Sequence, residues 1–221
     1  MSKTNLEIIA LNAKLGDGCI YRQGQACGMS FTSTCLDYIT YKRDMLIELR
    51  PTPMRTQRSG YEGKKAIYTF SVRCTEEARA CYDMSYSEAI QILQKQDLIL
   101  WLLDDGSLHR KHGTLHLYSN MLNKDESELL ISKIYELYPV AMPKLRIDRK
   151  KDGRFFYYLY LPRILAEVIQ VDMENFLISK SITSLLYKTA RKYTLNDHRK
   201  AKNGREPVLG PATLEPSRVG Q

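Results

Sequence analysis

The sequence predicts an α+β protein built from two similar units, each with the order helix, two strands, helix, two strands, helix (αββαββα). Three observations predict this fold. An apolar helical run that ends in Asp-Gly occurs twice, each run precedes segments that alternate apolar and polar residues, and the two units keep a common spacing. Asp105 of the second Asp-Gly lies 88 residues after Asp17 of the first, and Phe156 lies 88 residues after Tyr68 in a second pair of segments. The repeat therefore rests on register, because few residues are identical between the units.

The first unit, residues 1–94, begins with the helical run LEIIALNAKLGDG. The segment GMSFTST follows it and predicts a half-buried strand, with Met29 and Phe31 on one face. LDYITYKRDMLIEL has the apolar spacing of one amphipathic helix that includes Leu46 and Leu49. The turn-rich stretch RSGYEGKK leads into the strand AIYTFSVRC, and EEARACYDM closes the unit as a short helix.

The second unit, residues 95–193, repeats this order. QDLILWLLDDG is the helical run, and TLHLYSN is the alternating strand with Leu115 and Leu117 on one face. KDESELLISKIYELY predicts the middle helix, DRKKDGR a turn, RFFYYLYLP a strand, and RILAEVIQV the closing helix. Residues 194–221 have little apolar periodicity and several Pro and Gly, and we expect a flexible basic tail there.

Charge and composition narrow the class of partner. The 221 residues carry a formal net charge of +8, which favours a polyanion such as nucleic acid, or an anionic membrane surface. No apolar run is long enough to span a membrane, and the first residues lack a signal-peptide pattern. We therefore expect a protein that is not secreted, and the compartment stays open: the missing targeting segment fits an organelle-encoded (mitochondrial or chloroplast), a bacterial and a phage protein equally well. The five cysteines contain no C-x-x-C pair, which argues against a disulfide framework or a standard zinc site.

The two Asp-Gly pairs form a candidate site if the apolar helices, residues 5–17 and 95–105, pack side by side. Asp17 and Asp105 would then converge. Two unit charges about 4 Å apart repel by roughly 4 kcal/mol at an effective dielectric near 20, so such a pair shares a proton or binds a cation. Oxygen ligands with open positions suit Mg²⁺, and paired divalent ions can support phosphodiester cleavage. The alternative is that each Asp-Gly marks only a helix end and a turn.

The stretches LNAKLGDGCI and LILWLLDDGSL resemble the two signature motifs of the LAGLIDADG homing endonucleases. The segments after each motif also resemble the family's strand-then-helix order, so the resemblance covers roughly residues 5–190. It implies a single-chain monomer with motif helices at the interface between the repeats and a saddle of antiparallel strands along the DNA major groove. It further implies site-specific cleavage of double-stranded DNA by an enzyme that is typically intron-encoded.

The resemblance also implies roles for individual residues. Asp17 and Asp105 would coordinate Mg²⁺ or Mn²⁺, with Gly16 and Asp104 beside them as further candidates; Asp104 stands at a variable motif position where we expect a supporting role. The family places a basic residue near the scissile phosphates late in each repeat. In SITSLLYKTA this is Lys188, with Lys180 as second choice, and the first repeat has no counterpart. Where the family often has Gly or Ala for close helix approach, this sequence has Asn12 and Leu100.

The family's strands pack one face on the helices and present the other to DNA, so the alternation predicts DNA contacts. Arginine and glutamine read base edges in the major groove, whereas lysines at hairpin tips favour phosphate. The alternative is that these are ordinary solvated strand residues. The predicted contacts are Arg22, Ser30, Thr32, Arg55, Gln57, Arg58, Thr69, Ser71, Arg73, Arg110, Lys111, His116, Tyr118, Lys144, Arg146 and Arg149, with Lys64, Lys65, Lys150 and Lys151 on phosphate.

Two clusters admit a second interpretation. His109, His112 and His116 could bind zinc, but no fourth ligand stands at a recognisable spacing, so we favour DNA-facing positions at and after a hairpin turn. The tyrosines of FFYYLYLP could stack on single-stranded bases, yet their period of two is more typical of a packed strand.

Two other functional classes fit the same sequence. A protein of this fold can act as a maturase that binds its intron RNA, or as a DNA-binding protein without cleavage. The intact aspartate pair favours cleavage, because an RNA-binding scaffold needs no converging carboxylates. A basic interaction protein with chance motifs is the remaining alternative, and it predicts no dependence on Mg²⁺.

Overall fold

A computed structural model of the chain describes residues 3–24, 26–58, 66–73, 76–149 and 153–189. The elements of the first half are α1 (Asn5–Leu15), β1 (Gly18–Gln23), β2 (Ala26–Ser33), α2 (Leu36–Asp44), a 3₁₀ turn (Ile47–Leu49), β3 (Arg55–Arg58), β4 (Ala66–Val72), α3 (Glu76–Asp83) and α4 (Tyr86–Gln91). Those of the second half are α5 (Lys95–Asp105), β5 (Gly106–His109), β6 (Thr114–Tyr118), α6 (Lys124–Leu137), β7 (Lys144–Arg149), β8 (Phe155–Leu161), α7 (Arg163–Ser179) and a 3₁₀ turn (Leu186–Lys188).

The strands form two four-stranded antiparallel sheets of the same topology. Their orders are β1-β2-β4-β3 and β5-β6-β8-β7. Met29 pairs with Val72 in the first sheet, and Leu115 pairs with Leu161 in the second, so the inward rows of apolar side chains meet across the central strands. These pairings confirm the predicted α+β class and the two αββαββα units.

The interface between the two halves includes α1 and α5, which pack against each other, and α4, which packs against α6. Both helices are apolar on almost every side, as expected of helices buried between two layers rather than lying on a surface. Trp101 and Leu102 of α5 and Ile9 of α1 are inaccessible to solvent, within a core that continues through both sheets. Among the described residues, none of the helices has the length and apolarity needed to cross a membrane.

One predicted helix is shorter in the structure, and one helix is additional. The middle helix of the first half ends at Asp44, and a separate 3₁₀ turn follows it; Arg50, in a left-handed conformation (φ 51°) just before Pro51, ends that turn. The closing helix predicted in EEARACYDM is α3, and α4 is a further short helix that begins with a reciprocal cap between Ser85 and Glu88.

Each sheet uses strands from one half of the chain only. The division at residues 94 and 95 stays a prediction, because one core runs through both halves. Residues 194–221, the predicted tail, lie outside the described part of the chain.

Candidate metal and nucleic-acid site

The two motif helices end differently. We predicted helices through both aspartates, but α1 ends at Leu15, and Asp17 follows it in a bend. The second helix, α5, includes Asp105 as its last residue. Gly106 must follow directly, since a Cβ there would lie 2.2 Å from the carbonyl oxygen of Leu102. The Asp-Gly pattern is therefore shared by two different backbone geometries.

Asp17 and Asp105 nevertheless act on each other, as predicted for converging carboxylates. Burial, followed by the charges of Asp17 and Asp104, raises the pKa of Asp105 to about 7. Burial, followed by the charge of Asp104, raises the pKa of Asp17, and a hydrogen bond with Asp105 opposes the rise. The indole Nε1 of Trp101 donates to Asp105 Oδ2 at 3.2 Å and orients that carboxyl. Without a cation, this pair holds a proton near neutral pH.

Asp104 has a different environment from its neighbour. Its side chain is 1% exposed and accepts two hydrogen bonds from Lys42 Nζ, at 2.8 and 3.0 Å. Tyr38 Oη donates to Asp104 Oδ1 at 2.9 Å, and Asn12 Nδ2 donates to Oδ2 at 2.9 Å. The backbone N–H of Asp17 also points to Oδ2, at 3.3 Å. A buried carboxylate requires such a set of partners, and here they occupy both of its oxygens.

Asn12 and Leu100 stand at the contact between α1 and α5 where the family often has Gly or Ala, and the structure shows why larger residues fit there. Asn12 is buried at the interface and donates to Asp104, whereas Leu100 packs with no exposed surface. Close approach occurs instead at Gly16, where a Cβ would lie 2.4 Å from Asp104 Oδ2. Gly16 is thus needed because a carboxylate from the other half fills the space above it.

Lys188 lies at the site and Lys180 does not contact it. Lys188 Nζ donates to the carbonyl oxygens of Leu103 and Asp104 at 2.5 and 3.0 Å, where it caps the end of α5. Burial lowers the pKa of Lys188, and the charges of the three aspartates oppose that change. Lys180 is exposed at the end of α7 and is not among the groups that shift the pKa of Asp17 or Asp105.

The donor set fits a hard divalent cation with open positions. Asp17 and Asp105 offer carboxylate oxygens that are accessible in part, and the proton they hold is the species that a cation would replace. Asn12 Oδ1 is a further buried oxygen without a hydrogen-bond partner in the described part of the chain. Among the described residues, no group of three or more His, Cys, Asp or Glu side chains is arranged to hold a metal ion. A site with only two carboxylate ligands leaves coordination positions for water and phosphate, which is how Mg²⁺ is commonly bound.

A cleft opens beside the aspartates, between the first sheet and the 3₁₀ turn of Lys188. Its volume is about 360 Å³, and its lining includes Asp17, Thr32, Ile67, Tyr187 and Lys188. Asp104 also lines the cleft, whereas Asp105 is not among its lining residues. The outer face of the first sheet and Asp17 therefore share one open surface.

The outer face of the first sheet carries hydroxyl groups. Thr32 and Thr69 approach each other at 3.3 Å between their hydroxyl oxygens, and Ser30 and Ser71 at 3.4 Å. Arg55 pairs with Thr69 in the register, so it belongs to the same face. These positions agree with the face that the alternation predicts, and their contact with DNA stays a prediction.

The outer face of the second sheet carries stacked rings. His116 lies 5.2 Å from Tyr158 and 5.6 Å from Tyr160 between ring centroids, and His109 lies 5.5 Å from His116. Within β8, Leu159 and Leu161 face the core, so the tyrosines of this strand divide between its two faces. The guanidinium of Arg146 lies 5.8 Å from the ring centre of Tyr160. The histidines thus form a ring cluster on the predicted DNA face.

Three predicted DNA contacts differ in face. Side chains of paired residues in an antiparallel sheet point to the same face, and the face changes at every residue. Arg22, Arg58 and Arg149 therefore lie on the helix side of their sheets. Arg22 pairs with Cys27, Arg58 with Ala66 and Arg149 with Phe155. Each of these partners lies two residues along its strand from a side chain that faces the helices, so it belongs to the same face.

The remaining predicted contacts are exposed or partly exposed. Arg110 also donates to the carbonyl oxygen of Tyr187 at 3.2 Å, so it braces the turn that carries Lys188. The others that the structure describes are Gln57, Arg73, Lys111, Tyr118 and Lys144. The predicted phosphate contacts Lys64, Lys65, Lys150 and Lys151 lie outside the described residues.

Sequence reasoning missed Lys42 and Tyr38. They stand four residues apart on the buried side of α2, beside Ile39. A lysine within an apolar helix face is the signal that could have indicated a buried carboxylate partner, but the sequence does not say which one.

Residues 14–164 match the family model of the LAGLIDADG DNA endonucleases. No curated protein shows a significant sequence match to the chain.

Three solved structures share the fold. The homing endonuclease I-WcaI bound to its DNA recognition sequence has a TM-score of 0.61 and 20% identity, covering 87% of this chain and 88% of its own. The N-terminal LAGLIDADG domain of DUF199/WhiA has a TM-score of 0.51 and 10% identity, covering 90% and 88%. A variant of I-DmoI in complex with its target DNA in the presence of Mn has a TM-score of 0.50 and 15% identity, covering 80% and 93%.

Proposed function

Because the chain belongs to the LAGLIDADG DNA endonuclease family, we propose that it is a homing endonuclease that cleaves a long double-stranded DNA site with a divalent cation held by Asp17 and Asp105. The observation that carries this proposal is the hydrogen bond between these two carboxyls where α1 and α5 meet, together with the raised pKa of each. Two carboxyls with raised pKa at one interface are costly for folding alone and useful for holding a cation.

Each group near the site has a role that follows from its position. Asp17 and Asp105 supply the carboxylate oxygens, and the hydrogen bond from Trp101 fixes the orientation of Asp105. Lys188 adds a positive charge beside the carboxylates, which favours the approach of a DNA phosphate. A bound Mg²⁺ or Mn²⁺ would activate water and stabilise the leaving oxygen of the scissile phosphate.

The two sheets supply the surface for the DNA. Their outer faces carry Arg55, Gln57 and Arg146 together with the hydroxyl and ring side chains described above. Arginine and glutamine suit base edges in the major groove, so these residues would contribute to recognition of the site. The encoding of the protein in an intron and its action as a monomer belong to the same proposal.

A cleavage assay tests the proposal. The substrate is a duplex that spans the uninterrupted insertion site of the reading frame, incubated with Mg²⁺ or with EDTA. We expect Mg²⁺-dependent double-strand cleavage by the natural protein, and a loss of at least about a hundredfold in rate for Asp17→Asn or Asp105→Asn. Asp44→Asn, at the exposed end of α2, is the matched control and should cut like the natural protein.

The same assay can contradict the proposal. If no duplex is cut and the intron RNA is bound tightly instead, the protein is a maturase. If the asparagine variants cut as fast as the natural protein, the cation site is elsewhere.

A further inference from the structure

The side chain of Asp104 is placed by the opposite half of the chain. Its helix, α5, belongs to the second half, whereas Lys42, Tyr38 and Asn12, which donate to it, belong to the first. It also accepts the backbone N–H of Asp17. Asp104 therefore connects α1, α2 and α5 at the point where the proposed cation would bind.

The partners of Asp104 keep it from acting as a third cation ligand. Lys42 Nζ contacts both carboxylate oxygens, and the side chains of Lys42 and Asp104 are 4% and 1% exposed. A buried carboxylate whose two oxygens are already paired gains little by moving toward a cation, and breaking the pair would leave a buried ammonium. The geometry separates the fully paired and buried carboxylate of Asp104 from Asp17, which is exposed, and Asp105, which is partly buried.

We propose that Lys42, Tyr38 and Asp104 form a positioning unit, in which Lys42 neutralises Asp104 and Asp104 holds the Asp17 backbone so that Asp17 and Asp105 alone take the cation. This inference rests on the proposed cation site. Tyr38 adds the hydrogen bond that keeps Asp104 Oδ1 turned toward α2. Lys42 and Tyr38 act through Asp104 and do not themselves touch the cation.

Binding of Mn²⁺ to the full chain tests the unit without a DNA substrate. Affinity is measured from the electron paramagnetic resonance signal of free Mn²⁺, and folding is followed by near-ultraviolet circular dichroism. Lys42→Met releases a carboxylate near the site and should tighten Mn²⁺ binding several-fold. Asp104→Asn leaves an unpaired ammonium there and should weaken binding about tenfold. A role in folding alone would weaken binding in both variants.

The double variant Lys42→Met/Asp104→Asn removes both charges and keeps an acceptor for the N–H of Asp17. We expect it to fold and to bind Mn²⁺ within threefold of the natural protein, even if either single variant fails to fold. A loss of tenfold or more in this variant would show that Asp104 is a ligand, and would overturn the inference.

A second double variant isolates the hydrogen bond to Asp17. Lys42→Met/Asp104→Ala is also neutral but has no acceptor, so we expect binding about tenfold weaker than in the asparagine version. Equal affinities would remove the positioning role of Asp104. If the natural protein binds no Mn²⁺, or if Asp17→Asn leaves the affinity unchanged, the proposed function fails instead.

Discussion

The C-terminal ends of α1 and α5 carry the same Asp-Gly pattern, but only the end of α5 is surrounded by buried polar groups. Asp104, which directly precedes the second Asp-Gly pair, is held by polar side chains of the first half, while Gly16 stands at its counterpart position 88 residues earlier. The first half supplies Asn12, Tyr38 and Lys42, where the same spacing in the second half gives Leu100, Glu126 and Leu130.

The difference shows how a repeated fold can hold a single asymmetric network. The carboxylate of Asp104 fills the space above Gly16, so a second carboxylate at position 16 would have no room. The second half needs no buried lysine, because no carboxylate crosses to it. The symmetric part of the site is reduced to Asp17 and Asp105, the pair that we propose holds the cation.

The largest expected effect comes from the buried ion pair. Lys42→Met leaves Asp104 buried and unpaired, and we expect a loss of about 3–5 kcal/mol in the free energy of unfolding, measured in urea. The counterpart change Leu130→Met conserves volume in an apolar site and should cost less than about 1.5 kcal/mol. Equal losses would mean that the two halves are stabilised in the same way.

A smaller effect is expected at the glycine beneath Asp104. Gly16→Ala places a Cβ 2.4 Å from Asp104 Oδ2, an oxygen that three hydrogen bonds hold in place. We expect a loss of about 2 kcal/mol in unfolding free energy. Gly28→Ala is the control, since its Cβ would meet only the ring of the exposed Tyr21, which can move. A larger loss in the control would place the close approach in the sheet instead.

The aspartate pair predicts a pH effect on stability. Burial, with the charges of Asp17 and Asp104, raises the pKa of Asp105 to about 7, so the folded state holds this proton more tightly than the unfolded chain. Its contribution is present below pH 4 and is lost as the pH rises toward 7. With solvent access discounted, Asp105→Asn should stabilise the cation-free protein by about 1 kcal/mol at pH 8 and little at pH 4.

Unfolding in urea with EDTA at the two pH values measures this difference. Mg²⁺ should stabilise the natural protein at pH 8 and leave the Asp105→Asn variant unchanged. A variant that is less stable than the natural protein at pH 8 would contradict the repulsion between the carboxyls.

The smallest effect distinguishes the outer faces of the two sheets. The first carries hydroxyls, and the second carries His109, His112 and His116 in ring contact. Protonation of His116 adds positive charge, so binding to a 30-base-pair duplex of random sequence should gain up to roughly one unit of salt dependence between pH 7.5 and 5.5. Burial, then the charge of His109, lowers the pKa of His116, so His116 gains its proton at lower pH.

Replacement of the three histidines by glutamine should remove this gain. His198→Gln is the control, because it removes the fourth histidine of the chain and leaves the ring cluster intact. A loss of the gain in the control instead would mean that the second sheet does not face the DNA.

The fold was predictable because helix and strand periods, the Asp-Gly pairs and their spacing depend on near neighbours in sequence. The motif aspartates were predictable for the same reason, with help from the family resemblance. The contact of Lys42 with Asp104 was not predictable, because these residues lie 62 positions apart in the chain and the second repeat has a leucine at the position that corresponds to Lys42. Arg22, Arg58 and Arg149 were predicted from residue type and not from the alternation, and consecutive strand residues such as Gln57 and Arg58 point to opposite faces.

We propose that Asp17 and Asp105 hold the cation while Asp104 does not. Anomalous scattering from crystals of the protein grown with Mn²⁺ tests this most directly. We expect a peak between the carboxylates of Asp17 and Asp105, with Asp104 still paired to Lys42. A peak bound by Asp104, or the absence of any peak at the Asp17–Asp105 pair, would contradict it.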